Sequence, residues 1–171
     1  MAKAALVPPA VAALALTLGG CGTFSLGSFG GSSQPPEQAM IEPPPAPEIP
    51  ATIRSSEIVG RWGYAAYHKP EDRARTEAAA RGQCNHPYVI GQGTSGGVMM
   101  LLADSPQVQE LRLKGSAGGR NYVGPATDAA GGPQDREIVS FDGRVMVLRY
   151  VDPEVNARYG TGVFVRCAPK A

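Results

Sequence analysis

Short apolar segments separated by turn-forming residues run through the chain from about Ser56 onward, and this pattern constrains the fold more than any other feature. Each segment is only a few residues long, and Gly, Pro, Asn and Asp cluster between the segments, as is typical of strands joined by turns. The predicted strands are residues 58–67, 88–90, 98–103, 110–114, 120–123, 137–141, 144–151 and 162–167. The sequence therefore predicts a mostly β fold (α+β), a single antiparallel sheet or a small barrel of about seven to eight strands.

One helix interrupts the strand pattern, after the first strand, and is predicted over residues 70–81. Pro70 suits the first helical position, and Gly82 suits the exit. Residues 98–103 are apolar throughout, so we expect both faces of that strand to be covered, the second one by this helix. The expected packing stripe of the helix consists of Ala74, Ala78 and the stem of Arg81.

Two turns are also predicted from local chemistry. Asp142 and Gly143 are expected to take the two positive-φ positions of a tight hairpin. Asp152 and Glu154, with a proline between them, are expected to form a solvated turn and not an acid pair.

The N-terminus reads as a targeting segment. Lys3 precedes an uncharged apolar stretch over residues 4–18 that is short for a membrane span. The stretch ends in Leu18-Gly19-Gly20-Cys21, which resembles the bacterial lipobox. This resemblance implies a signal peptide over residues 1–20, cleavage before Cys21, and acylation of Cys21. Gly22, in place of Asp, implies sorting to the outer membrane; an uncut signal anchor and an ordinary secretory signal remain alternatives.

Residues 21–55 are predicted to be a disordered tether, first Gly/Ser-rich and then Pro-rich, because neither composition can bury a core. A spacer and a proline-rich recognition ligand are both open. Residues 56–171 then form one globular domain, predicted to lie in the periplasm. Basic and acidic residues nearly balance, 16 against 15, which argues against a nucleic-acid partner.

Two cysteines remain after Cys21. In an oxidising compartment Cys84 and Cys167 are expected to form a disulfide. The alternative is a metal site that adds His68 and His86, but the Cys-x-His spacing is shorter than that of usual metal ligands. We therefore predict no metal and no cofactor.

A glycine-rich stretch over residues 91–97 matches two catalytic patterns formally. One is a dinucleotide-binding glycine pattern; the other is a nucleophile motif around Ser95, for which His68 or His86 would be the base. Both the dinucleotide pattern and the hydrolase nucleophile elbow require a helix directly after the glycines, whereas an apolar strand is predicted there. The stretch is therefore expected to be a hairpin loop, and the protein is predicted not to be an enzyme.

Gly60-Arg61-Trp62 opens the first predicted strand with the only tryptophan. A Gly-x-Trp at this place is similar to the start of calycin barrels, such as lipocalins and the small bacterial protease-inhibitor barrels. The resemblance implies that Arg166, on the last strand, packs over Trp62 in a cation–π contact. Trp62 as a core aromatic and Trp62 as a ligand-contacting aromatic both remain open.

The sequence thus predicts a lipid-anchored outer-membrane protein with a non-catalytic binding or structural domain. The alternative is a tethered protease inhibitor or small-ligand binder of the calycin type. Expected partners are the membrane, through the lipid anchor, and an envelope protein or peptidoglycan. A basic and aromatic surface for the latter could comprise Tyr64, Arg149, Arg158 and Tyr159.

Overall fold

A computed structural model describes residues 47–169 of the chain. The strands are β1 (Ile49–Pro50), β2 (Gly60–Tyr67), β3 (Tyr88–Gln92), β4 (Val98–Leu101), β5 (Val108–Gly115), β6 (Asn121–Gly124), β7 (Arg136–Phe141), β8 (Val145–Tyr150) and β9 (Thr161–Arg166). The helices are α1 (Ser55–Ile58), α2 (Arg73–Gly82) and α3 (Pro153–Tyr159), with 3-10 turns at Pro70–Asp72 and Gln83–Asn85. The predicted signal peptide, Cys21 and the tether up to residue 46 lie outside the described residues.

Strands β2 to β9 form a closed antiparallel barrel of eight strands, in the order β5-β4-β3-β2-β9-β8-β7-β6. Strand β5 closes the barrel because it is long enough to pair with two neighbours. Its residues 108–111 pair with β4, and its residues 112–115 pair with β6. Closure leaves the barrel without a free edge strand. The predicted mostly β fold is confirmed, and the barrel is the form that it takes.

Secondary structure is present before the predicted domain start at residue 56. Ile49 and Pro50 pair with Gly115 and Lys114 as a short outer strand beside β5. Proline is tolerated there because an edge strand needs no donor on its open side. Farther along, Ser55 begins α1 where a tether was expected, and α1 replaces the first residue of the predicted strand.

The barrel interior holds the main core, as the alternation of apolar residues along each strand requires. Its fully or almost fully buried members are Ile58, Trp62, Ile90, Val98, Met100, Leu111, Val123, Ile138, Met146, Leu148 and Phe164. Ile58 belongs to α1, so this short helix extends the core at the end of the barrel where β2 begins.

Helix α2 lies on the outside of the barrel against β2 and β9, where Ala80 packs with Val163 and Val165. The prediction that it covers the apolar strand β4 is therefore wrong. Its buried residues are Thr76 and Ala80 and not the expected stripe of Ala74 and Ala78. Because alanines occupy almost every face of this helix, its sequence carries too little apolar contrast to fix which face is buried.

Two local predictions are corrected by the structure. Asp152 to Tyr159 is not a solvated turn: Asp152 caps α3, accepting hydrogen bonds from the backbone N–H groups of Glu154 (2.8 Å) and Val155 (3.0 Å). In the hairpin between β7 and β8, only Gly143 has a positive φ, of 85°. Asp142 does not; its carboxylate instead accepts hydrogen bonds from the backbone N–H groups of Arg144 and Val145, which stabilises a wider turn.

Candidate binding site at the barrel mouth

Trp62 and Arg166 meet at one end of the barrel, which they close. The Trp62 side chain is fully buried, and its indole N–H donates to the carbonyl of Ile58 at 2.9 Å. The Arg166 guanidinium lies 4.2 Å from the centre of the Trp62 ring system, so the expected cation–π contact is present. It also donates to the carbonyls of Gly143 (2.7 Å), Val59 (3.1 Å) and Glu57. With its face covered and its N–H bonded, Trp62 has no surface left for a ligand.

Cys84 and Cys167 are joined by a disulfide in the structure, with their Cα atoms 5.5 Å apart. The bond ties the end of α2 to the residue that follows β9. Gly63 makes this close packing possible, since a Cβ at that position would collide with the carbonyl of Ala80. Within residues 47–169, no group of three or more His, Cys, Asp or Glu side chains could hold a metal ion.

The glycine-rich stretch around Ser95 is the loop of the β3–β4 hairpin, followed by a strand. The carboxylate of Glu110 organises it, accepting hydrogen bonds from the backbone N–H groups of Ser95 (2.8 Å), Gly97 (2.9 Å) and Thr94 (3.1 Å). These bonds, the one from Gly97 foremost, lower the pKa of Glu110 from its usual value. In the described chain neither histidine makes a hydrogen bond to Ser95.

The opposite end of the barrel is open and contains a pocket of about 330 Å³. Five aromatic rings line it, together with the residues that follow β4. The rings belong to Tyr64, Tyr88, Tyr150, Tyr159 and Phe164. Such a volume with mostly apolar walls is at the small end of the range for ligand pockets.

One wall of the pocket is a cluster of three rings from adjacent strands. The three rings contact one another: the centre of the Phe164 ring lies 4.8 Å from that of Tyr64 and 5.5 Å from that of Tyr88, and the two tyrosine rings are 6.1 Å apart. Tyr64 points into the barrel and yet is 38% exposed, because the mouth above it is empty of side chains. Its partial burial raises the pKa of the Tyr64 hydroxyl, which therefore stays neutral in ordinary buffers. Gly162 also lines the pocket, and a Cβ at this position would lie 3.0 Å from the Tyr64 ring.

The facing wall carries the charged groups. Arg136, the first residue of β7, is only 5% exposed, and its guanidinium lies 5.5 Å from the centre of the Tyr150 ring. Tyr150 in turn contacts Tyr159 of α3, with ring centres 5.8 Å apart. The wall therefore joins a buried cation to two aromatic rings.

Asp104 fastens the rim of the pocket. It lies in the turn after β4 with φ of 57°, the sole positive value among the described residues other than glycine. Its carboxylate accepts hydrogen bonds from the Tyr159 hydroxyl and from Arg158, at 3.1 Å. The bond to Asp104 is the main cause that raises the pKa of Tyr159. These contacts connect the β4–β5 turn to α3 across the mouth.

The structure separates the basic and aromatic surface that the sequence suggested. Tyr64 and Tyr159 line the pocket and Arg158 lies at its rim, but Arg149 faces outward and pairs with Glu137 at 2.6 Å. Arg136 and Tyr88 also line the pocket and were not predicted from the sequence. Each is the first residue of its strand, and the strand register, which is fixed by pairing with neighbouring strands, turns each side chain toward the barrel interior.

No protein-family model matches this chain, and searches of curated proteins and of solved structures return no similar protein. No helix between residues 47 and 169 is long and apolar enough to cross a membrane.

Proposed function

We propose that this protein is a membrane-anchored envelope lipoprotein whose barrel is a non-catalytic binding domain for a small, mainly apolar molecule. The observation that carries the proposal is the open mouth of the barrel, where a pocket of about 330 Å³ is lined by aromatic rings. A barrel of eight strands is just wide enough to hold one small ligand at its mouth when side chains fill the rest. Of the two roles considered from the sequence, binding or bracing, this pocket favours binding.

The apolar wall supplies the affinity in this proposal. Tyr64 keeps more than a third of its surface exposed inside the mouth, and a ligand would remove that surface from water. The Asp104 contacts hold the rim in place before a ligand arrives, which reduces the ordering cost of binding. Because Asp104 is engaged by Arg158 and Tyr159, we assign it a structural and not a catalytic role.

The N-terminal sequence supports the location. The lipobox at Leu18-Gly19-Gly20-Cys21 favours anchoring by acyl chains, and two or more chains hold a protein stably on a bilayer. In this proposal the anchor is in the outer membrane, and the Pro-rich segment spaces the barrel from it, on the periplasmic side. The ligand would then be a molecule that reaches the envelope.

The test uses N-phenyl-1-naphthylamine, a neutral dye whose fluorescence rises in apolar sites. It is titrated into the mature chain implied by the lipobox, residues 21–171 with Cys21→Ser, which has neither the apolar signal segment nor an acylation site and needs no detergent. We expect saturable binding with one dye per chain. No saturable binding would overturn the proposal.

Two glycine variants locate the dye. Gly162→Val adds a side chain to the pocket lining beside the Tyr64 and Phe164 rings, and we expect it to weaken dye binding by about tenfold or more, because the valine occupies ligand space. Gly118→Val is the matched control: the nearest atom to a Cβ there is a serine hydroxyl 4.0 Å away, and Gly118 does not line the pocket. Equal binding by both folded variants would place the dye elsewhere and refute this site.

A further inference from the structure

We infer that the natural ligand of the barrel mouth is a small organic anion, whose carboxylate-type or sulfonate-type group binds Arg136 while its apolar part contacts the aromatic wall. This inference rests on the proposed function and names the chemical class of the ligand. It comes from the state of the Arg136 guanidinium, which differs from that of the other buried charges of the barrel.

Arg136 is buried without a counter-charge. Only 5% of the residue is exposed, and no carboxylate within residues 47–169 forms an ion pair with it. Removing a charge from water is costly unless a partner of opposite charge compensates for it.

The neighbouring carboxylates are committed to other cations. Asp135 is completely buried, and it pairs with Lys114 at 2.6 Å. Asp104, the carboxylate at the pocket rim, is held by Arg158 and Tyr159. Neither is available to neutralise Arg136.

The hydrogen-bond capacity of Arg136 is also incompletely used. One terminal nitrogen donates to the carbonyl of Leu101, at the end of β4. Its Nε is fully buried and has no hydrogen-bond partner in the described part of the chain. An unsatisfied buried donor is rare in folded proteins, and here it belongs to a side chain that lines the pocket. A bound oxyanion would supply the missing charge.

The contact with Tyr150 positions the guanidinium for this role. The Tyr150 ring, 5.5 Å from the centre of the guanidinium, restricts how this planar group can turn. On the facing wall, the Tyr64, Tyr88 and Phe164 rings offer an apolar surface. The pocket therefore fits a compact molecule with an anionic end and an aromatic or alicyclic body.

The experiment compares two probes that differ in charge but hardly in shape: 2-naphthoate and its neutral amide, 2-naphthamide. Each displaces N-phenyl-1-naphthylamine from the Cys21→Ser chain. We expect naphthoate to compete at about tenfold lower concentration than naphthamide. Arg136→Met should remove this preference, whereas Arg136→Lys should keep part of it.

Arg149→Met is the matched control. Arg149 lies on β8 opposite Glu137, the residue that follows Arg136, and its side chain is on the outside of the barrel. The variant removes the same charge there, so the preference for naphthoate should persist. Dye binding with equal competition by both probes in the wild type would overturn the anion inference and leave the proposed function standing. An unchanged preference in folded Arg136→Met would overturn it as well. Absence of dye binding would refute the proposed function and, with it, this inference.

Discussion

Replacing Arg166 by methionine removes the side chain that joins three backbone segments at the closed end of the barrel. Its guanidinium donates to carbonyls of α1, of the residue just before β2, and of the β7–β8 turn, and it covers Trp62. Methionine keeps much of the apolar stem but none of these donors. The variant therefore tests the hydrogen bonds and the cation–π contact, with little change in packing volume.

The expected loss follows from these contacts. A hydrogen bond to a charged donor contributes about 1.5 to 3 kcal/mol, and a partly buried cation–π pair contributes about 0.5 to 2 kcal/mol. The sum for three bonds and one pair is an upper bound, since the carbonyls at the end of the barrel regain water in the variant. We expect the free energy of unfolding to fall by about 3 to 5 kcal/mol, a large part of the stability of a small domain.

The assay is urea denaturation of the Cys21→Ser chain, followed by far-UV circular dichroism so that the readout does not depend on Trp62 emission. Arg144→Met is the control: it removes the same charge from a nearby exposed arginine, and we expect a change below about 0.5 kcal/mol. Arg166→Lys, which keeps the charge but not the planar fork, should fall between them. A loss below about 1 kcal/mol for Arg166→Met would refute the reasoning that this side chain holds the end of the barrel together.

Three further predictions concern the covalent bond, the hairpin loop and the anchor. Reduction of the Cys84–Cys167 disulfide should lower the free energy of unfolding by about 4.5 kcal/mol, because the bond closes a loop with a sequence separation of 83. Two alkylatable thiols in the native oxidised Cys21→Ser chain would contradict the bond. Glu110→Gln should lower the free energy of unfolding at neutral pH. Because the folded-state pKa of Glu110 is lowered, the difference in stability between variant and wild type should shrink as pH falls below about 4.5. An equal difference in stability at pH 7 and at about pH 3 would refute the role of its charge. Cys21→Ser should abolish incorporation of labelled fatty acid into the protein, whereas Ser32→Ala in the same segment should not. Persistent fatty-acid labelling of Cys21→Ser would contradict lipidation at this residue.

The strands of the barrel could be predicted from the sequence because each one has a recognisable local pattern. Apolar segments such as residues 144–151 lie between turn residues, and the structure has strands at or within a few residues of all the predicted positions. The helix at residues 153–159 also has a local sequence pattern: Asp152-Pro153-Glu154 provides an N-cap, a first-turn proline and an acidic residue. The helix was not predicted because the same residues also suit a turn.

The pocket could not be predicted in the same way. Its walls come from several separate strands and from the turn after β4, and they meet only because β5 pairs with both β4 and β6 to close the barrel. A shift of one residue in any strand would turn Tyr64 or Arg136 to the outside. The register that places them depends on many cross-strand contacts at once, and no local pattern encodes it.

The two ends of the barrel provide an internal comparison that separates a structural arginine from a ligand-binding one. Each end has a buried or half-buried arginine over an aromatic ring, Arg166 over Trp62 and Arg136 over Tyr150. Arg166 donates to three carbonyls, and its ring is sealed. Arg136 donates to one, keeps an unsatisfied Nε and lines an open pocket. If these contacts determine the roles, Arg166→Met should reduce stability without changing the preference for naphthoate, and Arg136→Met should abolish that preference at a smaller cost in stability.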